Sequence, residues 1–223
     1  MNINFAKFQL CMNVNDDKIN TFIVENESAM SDIIFDIYKQ TNSTECKVNI
    51  YQDEKALNMS TDIRLILNPF AVDLNDKQII KSLYLQIAEV GNENAELSAK
   101  VNADFINFLD RILLSISDSN IVYDLNLNME SFLKSYNVHF YDEYDDISEK
   151  LEEYIRLETI YGRVKLFIFV NLKSYLSIDS LNEFKKMIMY YNAKVLLIES
   201  REREEIEREN CTIIDKDLCI IKK

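Results

Sequence analysis

Arg163-Val-Lys-Leu-Phe-Ile-Phe-Val-Asn171 contains five consecutive apolar residues, Leu166–Val170, and a second apolar run, Val195-Leu-Leu-Ile198, follows it. Neither run is long enough to span a bilayer. Between them, Ile178, Leu181, Phe184, Ile188 and Tyr191 recur at helical intervals. Two wholly apolar strands joined by an amphipathic helix read as a βαβ unit, its strands buried on both faces of a parallel sheet. A fold class follows from this. A function does not, because one fold serves many chemistries.

N-terminal to this unit, residues 3–8, 10–14 and 19–24 read as strands, with Asn15-Asp-Asp17 as a hairpin turn between the last two. Ser28 caps a helix whose apolar face is Met30, Ile33, Ile34, Ile37 and Tyr38. Residues 47–51 and 62–67 are further strands, the second ending at Pro69, the only proline in the chain. The pattern then turns helical. Asn75 and Gln78 form a capping box ahead of Ile79, Leu83, Ile87 and Val90. Past a turn at 91–94, a long helix displays a stripe of Leu97, Val101, Phe105, Phe108, Ile112 and Ile116. That stripe is either the core of a projecting arm or an oligomer seam. A shorter helix carries Met129, Phe132, Leu133 and Tyr136.

The α/β pattern resumes with a strand at 138–141 and a helix capped by Asp146 and ended near Gly162. Beyond the βαβ unit come a short charged helix at 201–208 and strands at 212–214 and 218–221. The expected architecture is an α/β head, residues 1–73 and 137–223, with a mostly parallel sheet, interrupted by an α-helical arm at 74–136.

Composition narrows the function classes. The 223 residues hold two glycines, Gly91 and Gly162, far apart. A phosphate-cradling loop needs several glycines close together so that backbone N–H groups can approach the anion. Neither a Walker A loop nor a dinucleotide fingerprint can be written here. Cysteines stand at 11, 46, 211 and 219 without metal-ligand spacing and read as buried, reduced thiols. The single histidine, His139, lies in the strand expected at 138–141 and reads as structural. The start of the chain lacks a signal-peptide pattern, so a cytoplasmic location is expected, with no membrane contact. A net charge of −13 argues against a nucleic-acid binder, unless a locally basic surface or bound cations offset the carboxylates.

Four groups of residues could still carry chemistry. Asp142-Glu-Tyr-Asp-Asp-Ile-Ser-Glu149 is either an oxygen-rich cation site or an acidic helix start. Asp118, Asp124 and Glu130, with Asn126 and Asn128, are a sparser oxygen set that could surround calcium or simply form a polar loop. Glu199-Ser-Arg-Glu202 follows an apolar strand, where α/β sheets place ligands, and is either the acid of a cryptic nucleotide hydrolase without its phosphate loop or part of a solvated, self-paired run of charges through Glu209. On the arm, Lys77, Lys81, Lys100, Arg111 and Lys134 are DNA candidates if symmetry gathers them around one axis, and solvated surface cations otherwise.

Leu166-Phe-Ile-Phe-Val-Asn171, Tyr175-Leu-Ser177 and Val195-Leu-Leu-Ile-Glu-Ser-Arg-Glu202 together resemble the ring-forming adaptation family of type II-A CRISPR–Cas systems. The opening Met1-Asn-Ile-Asn-Phe5 and the order head, arm, head fit as well. The resemblance implies a head related to P-loop ATPases without their Walker A loop, and a homotetrameric ring. It also implies calcium as cofactor and non-sequence-specific binding of double-stranded DNA ends in a basic channel. Action would be in spacer acquisition beside the CRISPR integrase complex and the effector nuclease, with no catalysis of its own. By this resemblance the metal ligands fall at Asp124 and Glu130 with Asp118 upstream. Leu125 and Asn126 stand where other members can carry acids. Lys134 matches a channel lysine. The alternative is an acidic α/β oligomeric scaffold that recruits protein partners without touching DNA.

Overall fold

The computed structural model describes residues 1–14, 18–42, 48–116 and 120–223. Its elements run β1 Asn2–Phe5, β2 Leu10–Asn13, β3 Asn20–Val24, α1 Glu27–Asn42, β4 Val48–Gln52, β5 Lys55–Ala56 and β6 Ile63–Ile66. Then follow α2 Lys77–Glu93, α3 Ala95–Leu113, α4 Met129–Ser135 and α5 Ile147–Leu157. Last come β7 Leu166–Val170, α6 Ile178–Tyr190, β8 Val195–Glu199, β9 Asn210–Ile214 and β10 Ile220–Lys222. The chain divides into an α/β unit, Met1–Leu74 with Asp142–Lys223, and a helical unit, Asn75–Tyr141.

The α/β unit is organised by the six-stranded sheet β10-β9-β3-β8-β7-β6. Its five strands from β9 to β6 pair in parallel, and β10 closes one edge antiparallel. All five residues of β7 and all five of β8 are buried, as apolar runs in a covered parallel sheet should be; the one charged member is Glu199 at the end of β8. Their side chains divide by alternation. Leu166, Ile168, Val170, Leu196 and Ile198 face a core shared with α1 and with a second, antiparallel sheet, β2-β1-β4-β5. On the opposite face, Phe167 meets Tyr154 of α5 at a ring-centroid distance of 6.3 Å, and Phe169 meets Phe184 of α6 at 5.7 Å.

Several local expectations change. β2 pairs with β1 in the smaller sheet while β3 enters the larger one, so 10–14 and 19–24 are not a hairpin; Asn15, Asp16 and Asp17 lie outside the described residues. Asn26, not Ser28, caps α1, its Oδ1 accepting from the Ala29 N–H at 3.0 Å. Asp76 caps α2, because Asn75 is committed to the Phe140 backbone through both side-chain ends, at 3.0 and 2.8 Å. Residues 138–141 form no strand and belong to the helical unit, where the Val138 carbonyl accepts from the Tyr84 hydroxyl. His139 there is exposed. Residues 201–208 are not helical but an irregular strap. Cys11 and Cys219 are exposed rather than buried, and Cys46 lies outside the described residues; Cys211 is buried, and desolvation pushes its thiol up to about 11.

Gly162 ends a π-turn, 158–162, in which buried Glu158 receives the Arg64 Nε–H at 2.7 Å. A Cβ on Gly162 would lie 1.9 Å from Glu158 Oε2. Gly162→Ala must therefore displace a buried carboxylate, and a loss of about 1–3 kcal/mol is expected in denaturant melts. Gly91 is different: a Cβ there meets the flexible Met129 Cε at 3.4 Å. Gly91→Ala should leave stability unchanged or raise it by up to ~1 kcal/mol, as removal of a helix-interior glycine does.

Candidate functional site

Two places in the molecule could carry function: the C-terminal end of the parallel sheet and the helical unit.

In a phosphate-binding α/β fold the strand leads into a long glycine-rich loop and then a helix. Here β3 ends at Val24 and α1 begins at Glu27, leaving Glu25 and Asn26 as the whole connection. Both ends of the Asn26 side chain are engaged, Oδ1 by Ala29 N–H and Nδ2 by the Lys216 carbonyl. Two carboxylates, Glu25 and Glu27, flank the helix start that a phosphate would use. Among the described residues this sheet end has no cradle for a nucleotide phosphate. Glu199, at the end of β8, is 1% exposed. Its carboxylate accepts from the Lys173 backbone N–H at 3.0 Å, while Oε2 has no hydrogen-bond partner and lies 4.0 Å from Arg203 Nε. Burial pushes this carboxyl up to about 7, against the Lys173 N–H and the charges of Lys173 and Arg203, which pull it down. In this arrangement Glu199 is shielded from solvent.

The helical unit brings some of the arm candidates together and leaves others apart. Asn128 caps α4 by accepting from Ser131 N–H, which sets Glu130 and Lys134 one turn apart. Their charges pair at 2.7 Å, both side chains about 60% exposed. The hydrogen bond and charge of Lys134 hold the Glu130 carboxyl below its ordinary value, with a lesser pull from Lys81 on α2; reciprocally, Glu130 raises the Lys134 ammonium. Lys81, Lys134 and Glu130 thus form one mixed-charge cluster. Lys77 stands one turn before Lys81, at the first position of α2, where the helix dipole disfavours a cation. Lys100 and Arg111 are exposed on α3 and make no ion pair among the described residues.

Asp124 lines a groove of 260 Å³ together with Asn102, Phe105, Asn126, Ser131 and Phe132. Asn102 ties the loop down, donating to the Leu125 carbonyl at 2.8 Å and accepting from the Leu127 N–H at 3.0 Å. Asp118 lies outside the described residues. Among the described residues no three His, Cys, Asp or Glu side chains converge as a metal site. Asp124 and Glu130 of one chain are therefore not gathered into such a set, and Glu130 is already engaged by Lys134. The 142–149 run resolves into a helix start: Asp146 caps α5 and Asp142 pairs with Lys150 at 2.8 Å.

A sequence model described as CRISPR-associated protein (Cas_Csn2) matches residues 40–218. The chain belongs to the Csn2 family. It is thereby a type II-A CRISPR adaptation protein, the family its strand sequences resemble. A CRISPR-associated protein Csn2 from Streptococcus agalactiae is 22% identical over 200 residues, covering 89% of this chain and 88% of that protein. Stu0660 of Streptococcus thermophilus shares the fold, with a TM-score of 0.58 at 11% identity, over 96% of this chain and 75% of that one. MJ1267, an ATP-binding cassette of an ABC transporter in its ADP conformation, is a more distant structural neighbour, with a TM-score of 0.45 at 12% identity over 93% of this chain and 80% of that one. In this Csn2 chain no described helix is long and apolar enough to cross a membrane.

The Glu130–Lys134 pair is directly testable. Glu130 contributes stability above its unfolded-state pKa that is lost as pH falls through its lowered folded value. Lys134→Met should return the Glu130 carboxyl upward toward the ordinary glutamate range in a carbon-13 NMR titration. An unmoved midpoint would mean that the pair does not form in solution.

Proposed function

We propose that this Csn2 protein is a non-enzymatic, homotetrameric ring that binds double-stranded DNA ends without sequence preference during CRISPR adaptation. The observation that supports assembly is α3. This helix has 19 residues and an apolar stripe, yet none of its residues is buried. Leu97, Val101, Phe105, Phe108 and Ile112 are between 38% and 64% exposed. An apolar face of that length on an amphipathic helix marks an interaction surface. Further copies of the chain are the proposed cover.

Assembly also offers the route by which an acidic chain can bind DNA. One copy carries −13, and its clearest basic cluster, Lys81 with Lys134, is offset by Glu130. Four copies around an axis would repeat that cluster on one inner surface, so that a duplex meets lysines while most carboxylates face outward. Binding of this kind acts through phosphate neutralisation and carries no sequence information. Lys77, Lys100 and Arg111 are proposed to add to the same field. Calcium belongs to the proposal as the ion that the family resemblance implies, with Asp124 and Glu130 as candidate ligands and Asp118 outside the described residues. The integrase complex and the effector nuclease are the proposed functional partners.

The second reading, an acidic scaffold that recruits proteins without DNA, draws on the same apolar face and on the net charge. Gel shifts separate the two. The ring should retard linear duplex and spare covalently closed circles, with affinity falling steeply as salt rises. Lys134→Ala should weaken binding to all sequences alike and reduce the salt slope by about one unit for each phosphate that is no longer neutralised. Equal retardation of closed circles would rule out threading, and no shift at low salt with calcium present would favour the scaffold. Phe108→Glu on α3 should yield monomers by light scattering and abolish the shift. Chelation of calcium should lower the oligomer mass in the unmodified protein.

A further inference from the structure

The strap at 200–209 lies over the C-terminal end of β8 and is fastened by charges that the DNA-binding proposal does not use. Arg203 Nη2 donates to Ser174 Oγ at 2.8 Å, and Ser200 N–H to Asn171 Oδ1 at 3.0 Å. The Lys173 ammonium, whose side chain is 4% exposed, pairs with Glu209 at 2.7 Å and donates to the Glu204 carbonyl at 3.1 Å. Lys185 of α6 donates to the Glu207 carbonyl. Beneath these anchors sits Glu199, with one carboxylate oxygen lacking a hydrogen-bond partner and 4.0 Å from Arg203 Nε.

An irregular, highly charged segment with no apolar anchor except Ile206 is held mainly by these polar ties. The groups that act on Glu199 are the Lys173 N–H and ammonium from the turn after β7, Arg203 and Glu209 from the strap, and its own strand β8; Cys211 of β9 faces the Lys173–Glu209 pair. With Glu199 protonated, one carboxylate and two cations remain in the cluster. With Glu199 ionised, two carboxylates face two cations, but one of them stays buried with an unsolvated oxygen, which is costly. Lifting the strap admits water to that oxygen.

We propose that Glu199 is a proton-controlled latch: protonated, it keeps the 200–209 strap closed over the sheet end, and ionised, it favours strap opening, which uncovers Lys173 and Lys185. The direction follows from linkage. Closed, the Glu199 carboxyl stands near 7; open and hydrated, it falls toward the ordinary glutamate value, so proton release and opening drive each other. Opening of a loosely held segment is a local event, separable from global unfolding. For a fully hydrated open state, opening should become about tenfold more frequent between pH 6 and pH 8.

Hydrogen exchange on the whole chain, followed by mass spectrometry and corrected for intrinsic rates, reads this directly. Protection at 201–209 should fall about tenfold from pH 6 to pH 8 relative to β7 amides in the same molecule. Glu199→Gln, which cannot ionise, should hold the protection constant. Arg203→Gln, which keeps the carboxylate but removes a cation that favours its ionisation, should move the transition to higher pH. The proposal is overturned by a pH-independent strap in the unmodified chain. It is equally overturned by an unchanged pH profile in Glu199→Gln, or by β7 losing protection in step with the strap.

Discussion

Burial of the central strands on both faces is the constraint from which the rest of the α/β unit follows. β7 and β8 carry no exposed residue, and every position on them is apolar except Glu199, the last residue of β8. Polar chemistry is thereby pushed to the strand ends. It collects there at once: Asn171 after β7, Glu199 closing β8, then Lys173, Arg203 and Glu209 in the connections. In α/β sheets that edge is where ligands bind. In this chain its own strap occupies it, with lysine ammoniums held by strap carbonyls and a strap carboxylate in place of a foreign partner.

How much of the structure is legible in the sequence tracks how local the determining forces are. β7 and β8 are legible because an unbroken apolar run has one natural home. The Glu130–Lys134 pair joins two residues expected from sequence to serve different roles, metal and DNA, and its consequence is a channel candidate already paired in the single chain. The strap imitates a helix in sequence because Arg201-Glu-Arg-Glu-Glu-Ile-Glu-Arg208 offers good i, i+4 charge pairs. Those pairs are worth a few tenths of a kcal/mol each on a surface, less than buried bonds to Lys173 and Lys185 from distant sequence. Cap positions shift for a similar reason. Asn75 is a sound N-cap locally, but Phe140, 65 residues away, claims both ends of its amide. Residues 138–141 have strand-like composition without a neighbouring strand to pair with, and propensity alone builds no sheet.

The candidate site shows the same division. The identity of the basic residues is visible in sequence, but their grouping is not: Lys81 and Lys134 converge through the packing of α2 with α4, while Lys100 and Arg111 stand on α3 without ion-pair partners among the described residues. Of the carboxylates expected around one ion, Asp124 lines a groove and Glu130 pairs with a lysine, while Asp118 lies outside the described residues.

Net charge and local field need not agree, and in this protein they pull in opposite directions. An isolated chain at −13 repels a duplex at any distance comparable to the screening length, about 8 Å at physiological salt. Inside that distance the nearest groups decide. A lysine touching a phosphate outweighs carboxylates two or three screening lengths away, provided that no acid sits beside it. Glu130 is such an acid for Lys134 and Lys81. A single copy therefore gains little at the phosphate backbone, whereas convergence of several copies multiplies the lysines within one screening length. Under the proposed ring, the exposed apolar face of α3 and the offset lysines would share one explanation, completion of the helical unit by other copies.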